Sequence, residues 1–130
     1  MAKKIVVLGA GESGVGAAIL AKKKGLDVFV SDRAAISKEN KKVLSNNEIK
    51  WEEGGHRIDK ILQAKEVIKS PGIPDDAGMI KEIKSAGISV VSEVEFAFRY
   101  TKAKVVAITG SNGKTTTTLL VGHILKKAGL

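Results

Sequence analysis

Lys114 and Thr115 stand directly behind a glycine-bearing turn, Thr109-Gly110-Ser111-Asn112-Gly113, and ahead of a run with helical spacing. Residues of these types in this order suit phosphate chemistry. Glycines let backbone N–H groups approach phosphate oxygens, and the N-terminus of the following helix adds partial positive charge. Lys114 supplies a full charge for distal phosphates, and Thr115 a hydroxyl suited to Mg²⁺. The loop is a short variant, Gly110-x-x-Gly113-Lys114-Thr115. The usual pattern has a glycine six residues before the lysine, where this chain carries Ile108.

A second constellation lies at the other end of the chain. Gly9-Ala10-Gly11-Glu12-Ser13-Gly14 is a complete G-x-G-x-x-G, and Asp32 follows Gly14 by 18 residues. That spacing is close to a dinucleotide fingerprint, in which the glycines admit a diphosphate and the acid meets a ribose hydroxyl. A third element is Ser70-Pro71-Gly72-Ile73-Pro74. Pro71 fixes its own φ and Gly72 permits a left-handed turn, at a strand end where open α/β sheets bind ligands. His56 has no partner at metal-ligand spacing and reads as a structural loop residue. Trp51 reads as packing.

The elements that must hold these residues follow from the hydrophobic pattern. Ile5-Val6-Val7-Leu8, Asp27 to Ser31, Ile49 to Glu52, Glu66 to Lys69 and Ile88 to Val91 read as strands. Helical patterns lie between them: one after Gly14 ending at Lys24-Gly25, one from Ser37 to about Asn46, one from Arg57 to Ala64, and one capped by Asp75 or Asp76 and ended by Gly87. The expected fold is α/β, a Rossmann-like domain with a five-stranded parallel sheet over residues 1–91. Ser92-x-x-Glu95 has capping-box spacing and opens a helix to about Tyr100. Val105 to Ile108 reads as a sixth strand, buried on both faces, leading into the loop at Gly110 and a helix from about Thr116 to Ala128. Residues 92–130 thus read as the first strand, phosphate loop and helix of a second domain, with the boundary near Ser92.

Composition sets bounds. With 43% hydrophobic and 28% charged residues the chain is of globular type. It has no apolar run of membrane-spanning length, and no secretory pattern opens it. Without cysteine the chain has neither a disulfide framework nor a thiol nucleophile. The net charge of +8 is scattered over Lys22-Lys23-Lys24, Lys41-Lys42 and Lys126-Lys127, and aromatics are only 4%. This is a solvated basic surface compatible with anionic small molecules, not a base-stacking platform for nucleic acid. From the residues alone, the first 91 positions also allow an NAD-binding module, and the loop at Gly110 a regulatory nucleotide switch.

The series Gly9–Gly14, then Ser70-Pro71-Gly72-Ile73, then Val106-Ala107-Ile108-Thr109-Gly110-Ser111-Asn112-Gly113-Lys114-Thr115 resembles the Mur ligases of peptidoglycan synthesis over the whole chain. Ser70-Pro71-Gly72-Ile73 points to the members that add D-glutamate to UDP-N-acetylmuramoyl-L-alanine, over sister ligases adding another residue to the same precursor or to folate. The resemblance implies a first domain that binds UDP-substrate through Gly11, Glu12, Ser13, Gly14, Asp32, Arg33, Ser70, Pro71 and Gly72. It implies an ATP loop of Gly110, Ser111, Asn112, Gly113, Lys114, Thr115 and Thr116. Lys114 and Thr115 would be catalytic, and Thr115 would help hold Mg²⁺. The implied reaction moves the ATP γ-phosphate to the substrate carboxylate, and the amine of D-glutamate then attacks the acyl phosphate. The resemblance further implies a monomeric, cytoplasmic bacterial enzyme several times longer than this chain. The modified lysine, adenine pocket, remaining Mg²⁺ ligands and amino-acid site would lie past Leu130. The 130 residues would then be an inactive N-terminal fragment whose residues 92–130 either associate between chains or are loosely ordered.

Overall fold

The computed structural model describes residues 3–130. Five strands, β1 (Lys4–Leu8), β2 (Asp27–Ser31), β3 (Lys50–Glu52), β4 (Glu66–Lys69) and β5 (Ser89–Ser92), form one sheet in the order β3-β2-β1-β4-β5. Every pairing is parallel, as the unbroken apolar runs require. The helices are α1 (Glu12–Lys23), α2 (Lys38–Asn46), α3 (Ile58–Ile61), α4 (Gly78–Ser85), α5 (Glu93–Phe98) and α6 (Lys114–Lys127).

Period-two alternation along the strands divides the core between the two faces. Ile5, Val7, Val28, Val30 and Ile68 meet α1 residues Val15 and Ala18, Leu44 of α2 and Phe96 of α5. Val6, Leu8, Phe29 and Val67 meet Ile61 of α3 and Ile80 and Ile83 of α4. Each large side chain so buried contributes about 1.5–3 kcal/mol. β1 is central, with Val6, Val7 and Leu8 fully buried.

The register brings the site together. Leu8 pairs with Ser31 on one side and Lys69 on the other, so β1, β2 and β4 end level. The ladder runs one residue further, with Gly9 N–H donating to the Ser31 carbonyl at 2.9 Å and Ser70 N–H to that of Leu8 at 3.0 Å. Gly9, Asp32 and Ser70 therefore emerge side by side where the strand order reverses, the position at which open α/β sheets form ligand crevices.

Several local expectations are corrected. The N-cap of α4 is Ala77, without a side-chain cap, and neither Asp75 nor Asp76 serves. Asp75 instead faces two ammonium groups, Lys69 and Lys84, both at 3.7 Å. The third helix is one turn, Ile58–Ile61, and α5 stops at Phe98. Ser92 does cap α5, accepting from Glu95 N–H at 3.1 Å, but the Glu95 carboxylate turns to Arg99 at 3.6 Å and does not close the box. α5 packs on the first core through Phe96, while Arg99 donates twice to Glu66 at 2.8 and 2.9 Å.

The sixth strand is absent. Residues 104–110 have no regular structure, and Val105 and Val106 are 59% and 68% exposed. A strand needs a neighbour's edge for its N–H and C=O groups. The sheet's edges, β3 and β5, do not take up this segment. α6 buries none of its residues and leaves Leu119, Leu120, Ile124 and Leu125 exposed. The 130-residue chain should consequently show concentration-dependent association by light scattering, because exposed apolar helices and unpaired strand segments recruit other chains. Amides of residues 105–128 should exchange far faster than those of β1 in dilute solution. A strict monomer with equal protection throughout would contradict this.

Candidate functional site

The strand ends frame a cleft of ≈ 490 Å³ whose polar wall is Gly9, Asp32, Arg33, His56, Ser70 and Gly72. Its apolar wall is Ile73, Pro74, Ala77 and Met79. Of the glycine loop only Gly9 lines this cleft; Gly11, Glu12, Ser13 and Gly14 are not among its lining residues. Gly9 has φ +101°, and a Cβ there would lie 2.9 Å from the Ser70 Cβ. At Gly14 a Cβ would lie 2.0 Å from the Gly9 carbonyl oxygen. α1 therefore sits hard against the loop. Its N-cap is Gly11, with no side-chain cap. The first-turn N–H groups of Glu12, Ser13 and Gly14 accordingly find no acceptor among the described residues. Uncapped amides at a helix N-terminus are an anion-binding arrangement.

Asp32 braces this loop. Its carboxylate accepts from Ala10 N–H at 2.6 Å and from Ala34 N–H at 2.7 Å. The acid expected to face a ribose thus already holds both flanking backbones. Arg33 is exposed on the rim. The Ser13 hydroxyl donates to the buried Glu93 at 3.1 Å, tying the loop to α5. At the third motif, Gly72 does not adopt a left-handed φ, contrary to expectation. The turn closes instead through Ile73 N–H on the Ser70 carbonyl at 3.1 Å, and Lys69 Nζ donates to the Ile73 carbonyl at 2.6 Å. A Cβ at Gly72 would meet only Ser70 Oγ, at 3.9 Å, so its contribution is an open cleft wall. Pro71 faces away, into a groove with Asp75 and Ser92.

His56 belongs to the cleft, and the sequence reading missed it. Its Nδ1 lies 2.7 Å from Ser31 Oγ, which is 2.9 Å from Glu52 Oε1. Burial pushes the imidazole below its ordinary pKa, Arg33 adds to the depression, and the Asp32 and Glu52 carboxylates pull the other way. Burial alone would raise Glu52, but bonds from the Arg57 backbone and guanidinium and from Ser31 hold it below the usual carboxylate range. The available signal was Gly54-Gly55-His56 directly after a strand: at a strand's C-terminal end in a parallel sheet, a polar loop residue faces the ligand crevice.

The second glycine loop is separate from this cleft. Gly110 has φ +152° and Gly113, the N-cap of α6, φ +76°, with no side-chain cap. Lys114 Nζ folds back to donate to the Gly110 carbonyl at 2.6 Å. The hydroxyls of Ser111, Thr115 and Thr116 and the amide of Asn112 are exposed. Open amides, a cation curled over the loop and a neighbouring free hydroxyl are a donor set that fits a polyphosphate with its Mg²⁺.

A five-stranded parallel sheet with helices on both faces and a cleft at the strand-order reversal defines an open, Rossmann-like α/β protein. The sequence profile described as the MurD N-terminal domain matches residues 4–79, and the chain belongs to that family. It is 60% identical over 128 residues to the UDP-N-acetylmuramoylalanine--D-glutamate ligase of Bacteroides fragilis, covering 98% of this chain and 29% of that protein. The ligase of the same name from Christiangramia forsetii is 58% identical over 130 residues, again with 29% of its length covered. The chain spans under a third of the length of these relatives. Among solved structures, the murein peptide ligase of Psychrobacter arcticus superimposes with a TM-score of 0.72 at 27% identity, over 98% of this chain and 27% of that one. The UDP-N-acetylmuramate-alanine ligase of Thermotoga maritima gives 0.65 at 29%, over 95% and 29%. No helix among the described residues is long and apolar enough to cross a membrane.

Proposed function

We propose that the chain is the N-terminal part of a cytoplasmic, ATP- and Mg²⁺-dependent ligase that joins D-glutamate to UDP-N-acetylmuramoyl-L-alanine. Residues 1–91 hold the UDP-substrate and residues 92–130 open the ATP-binding domain, with α5 as the joint. The observation that carries this reading is the cleft itself. Gly9 and Asp32 of the first glycine constellation and Ser70 and Gly72 of the Ser-Pro-Gly-Ile turn, two separate motifs, converge in one cleft in a chain of this family. A diphosphate would take the first-turn N–H groups of α1, and Arg33 at the rim would add charge.

At the second loop, the backbone between Gly110 and Lys114 would cradle the ATP phosphates and Lys114 would swing from the Gly110 carbonyl to the transferring group. Thr115 would hold Mg²⁺, which when bound neutralises charge on the phosphate oxygens. The chain's own part is positioning and charge: phosphoryl transfer to the carboxylate, then attack by the amine, needs aligned reactants more than new covalent chemistry from the protein. Ligation is a property of the longer polypeptide.

Calorimetric titration of this chain with UDP, the UDP-muramoyl substrate and NAD tests the reading. The two UDP ligands should bind and NAD should not. NAD binding without a response to UDP ligands would overturn it. Gly11→Val separates binding from folding. A Cβ at Gly11 meets nothing within 4 Å, so thermal stability should stay within about 1 kcal/mol, as for other open surface positions. UDP affinity should fall at least tenfold (about 1.4 kcal/mol), because the side chain stands where phosphate approaches. Unchanged affinity would remove this loop from the site.

A further inference from the structure

We propose that His56 is a nucleoside-binding residue of the cleft, presenting Nε2 as a hydrogen-bond acceptor to an N–H or O–H donor of the ligand. This rests on the reading that the cleft between β1, β2 and β4 takes the UDP portion of the substrate.

The tautomer follows from the hydrogen-bond chain. Glu52 Oε1 accepts from Arg57 N–H and Oε2 from Arg57 Nε, both at 2.9 Å, so this carboxylate is ionised and has no proton to donate. The Ser31 hydroxyl, 2.9 Å away, must give its single proton to it. Ser31 Oγ then faces His56 Nδ1 at 2.7 Å with only lone pairs, so Nδ1 carries the hydrogen. In a neutral imidazole, Nε2 is then a bare acceptor. The ring stays neutral at pH 7, since its pKa lies below the ordinary value.

Nε2 has no hydrogen-bond partner in the chain, and no described side-chain N or O is both buried and unpaired, so Nε2 is open to the outside. The ring borders the cleft that Asp32, Ser70 and Gly72 also line. The charged groups around the ring are Asp32 and Arg33 after β2, Glu52 on β3 and Arg57 beside it, with Lys60 of α3 reaching Glu52 at 3.8 Å. None of them offers Nε2 a proton. A neutral acceptor fixed in a nucleotide cleft suits the imide N3–H of a uracil ring or a ribose hydroxyl. Cytosine has an acceptor at the same ring position and would be refused.

The test uses this chain and a UDP-sugar, whose doubly esterified diphosphate stays ionised throughout. His56→Asn keeps a short N–H donor toward Ser31 and deletes Nε2, so folding is preserved while the acceptor is lost. His56→Ala removes both. The Asn variant should melt like wild type and bind about three- to tenfold more weakly, the range of one neutral hydrogen bond. Wild-type affinity should fall as pH drops from 7.5 to 5.5, because protonation turns the acceptor into a donor, and this slope should vanish in the Asn variant. A CDP-sugar arm locates the donor. If it is the base, the uridine-over-cytidine preference collapses in the variant. If it is the ribose, that ratio holds and the penalty for a deoxyribose analogue disappears instead. Wild-type affinity in the Asn variant would make His56 merely structural and overturn the proposal, as would tighter binding at low pH, which would mean that a cationic ring meets the diphosphate. No UDP-sugar binding by wild type overturns the underlying reading as well, and so is distinguishable from either result.

Discussion

Replacing Lys114 by Ala in the full-length ligase proposed above is expected to lower kcat by at least about 10²–10³, the loss typical when one preorganised group facing developing charge is removed. In this structure the ammonium is held over its own loop by the Gly110 carbonyl at 2.6 Å. It is stationed where a phosphate would sit between Gly110 and the uncapped start of α6, and exchanging one carbonyl for phosphate oxygens requires only side-chain rotation. Lys114→Arg should not restore the rate, because a planar guanidinium cannot replace a point charge at the end of a flexible stem. UDP-substrate affinity should remain within about twofold, since Lys114 does not line the cleft at the ends of β1, β2 and β4. Phosphate release and calorimetry on the same variant decide it. Activity within twofold of wild type would refute the role given to Lys114, and equal loss of both functions would point to misfolding.

The sheet was legible because its signals are local. Ile5-Val6-Val7-Leu8 and Val28-Phe29-Val30, short, rich in β-branched residues and followed or preceded by glycine, read as strands covered on both faces, and the helical patterns between them make the crossovers parallel. Gly9–Gly14 and Asp32 were equally readable as a constellation, although what Asp32 does in the structure, bracing Ala10 and Ala34, depends on a register between β1 and β2 that spacing alone does not fix. His56 was missed for the same reason. Its meaning comes from Ser31, 25 positions earlier, and from the alignment of β2 with β3. The failure at Val105–Ile108 is of another kind. Those residues carry the strand pattern, but a strand is a relation between two segments, and among the described residues none takes the other side. The pattern reports what the segment is built to do, and the structure reports what it finds to pair with.

Gly14 is the position where a single methyl group should do most harm to this chain. Its φ is not left-handed, so the objection to a side chain is space alone. A Cβ would lie 2.0 Å from the Gly9 carbonyl oxygen and 3.0 Å from its carbon. These are backbone atoms, and they cannot retreat freely. Gly9 N–H is bonded to Ser31 at 2.9 Å, and Ala10 N–H to Asp32 at 2.6 Å. Relief must come from lifting α1 off the sheet, which loosens Val15 and Ala18 from the first core. Gly14→Ala should therefore cost at least the 1–3 kcal/mol typical of overpacking, or about 4–8 °C in Tm for each kcal/mol in a domain of this size. UDP affinity should fall with it, because the first-turn N–H groups move with the helix. Gly16→Ala, two residues along the same helix, is the control. It meets nothing within 4 Å and should be neutral or stabilising by up to about 1 kcal/mol from helix propensity. Thermal unfolding of the two variants side by side gives the answer, and a Gly14→Ala protein as stable as the Gly16→Ala protein would show that the α1–loop packing described here is wrong.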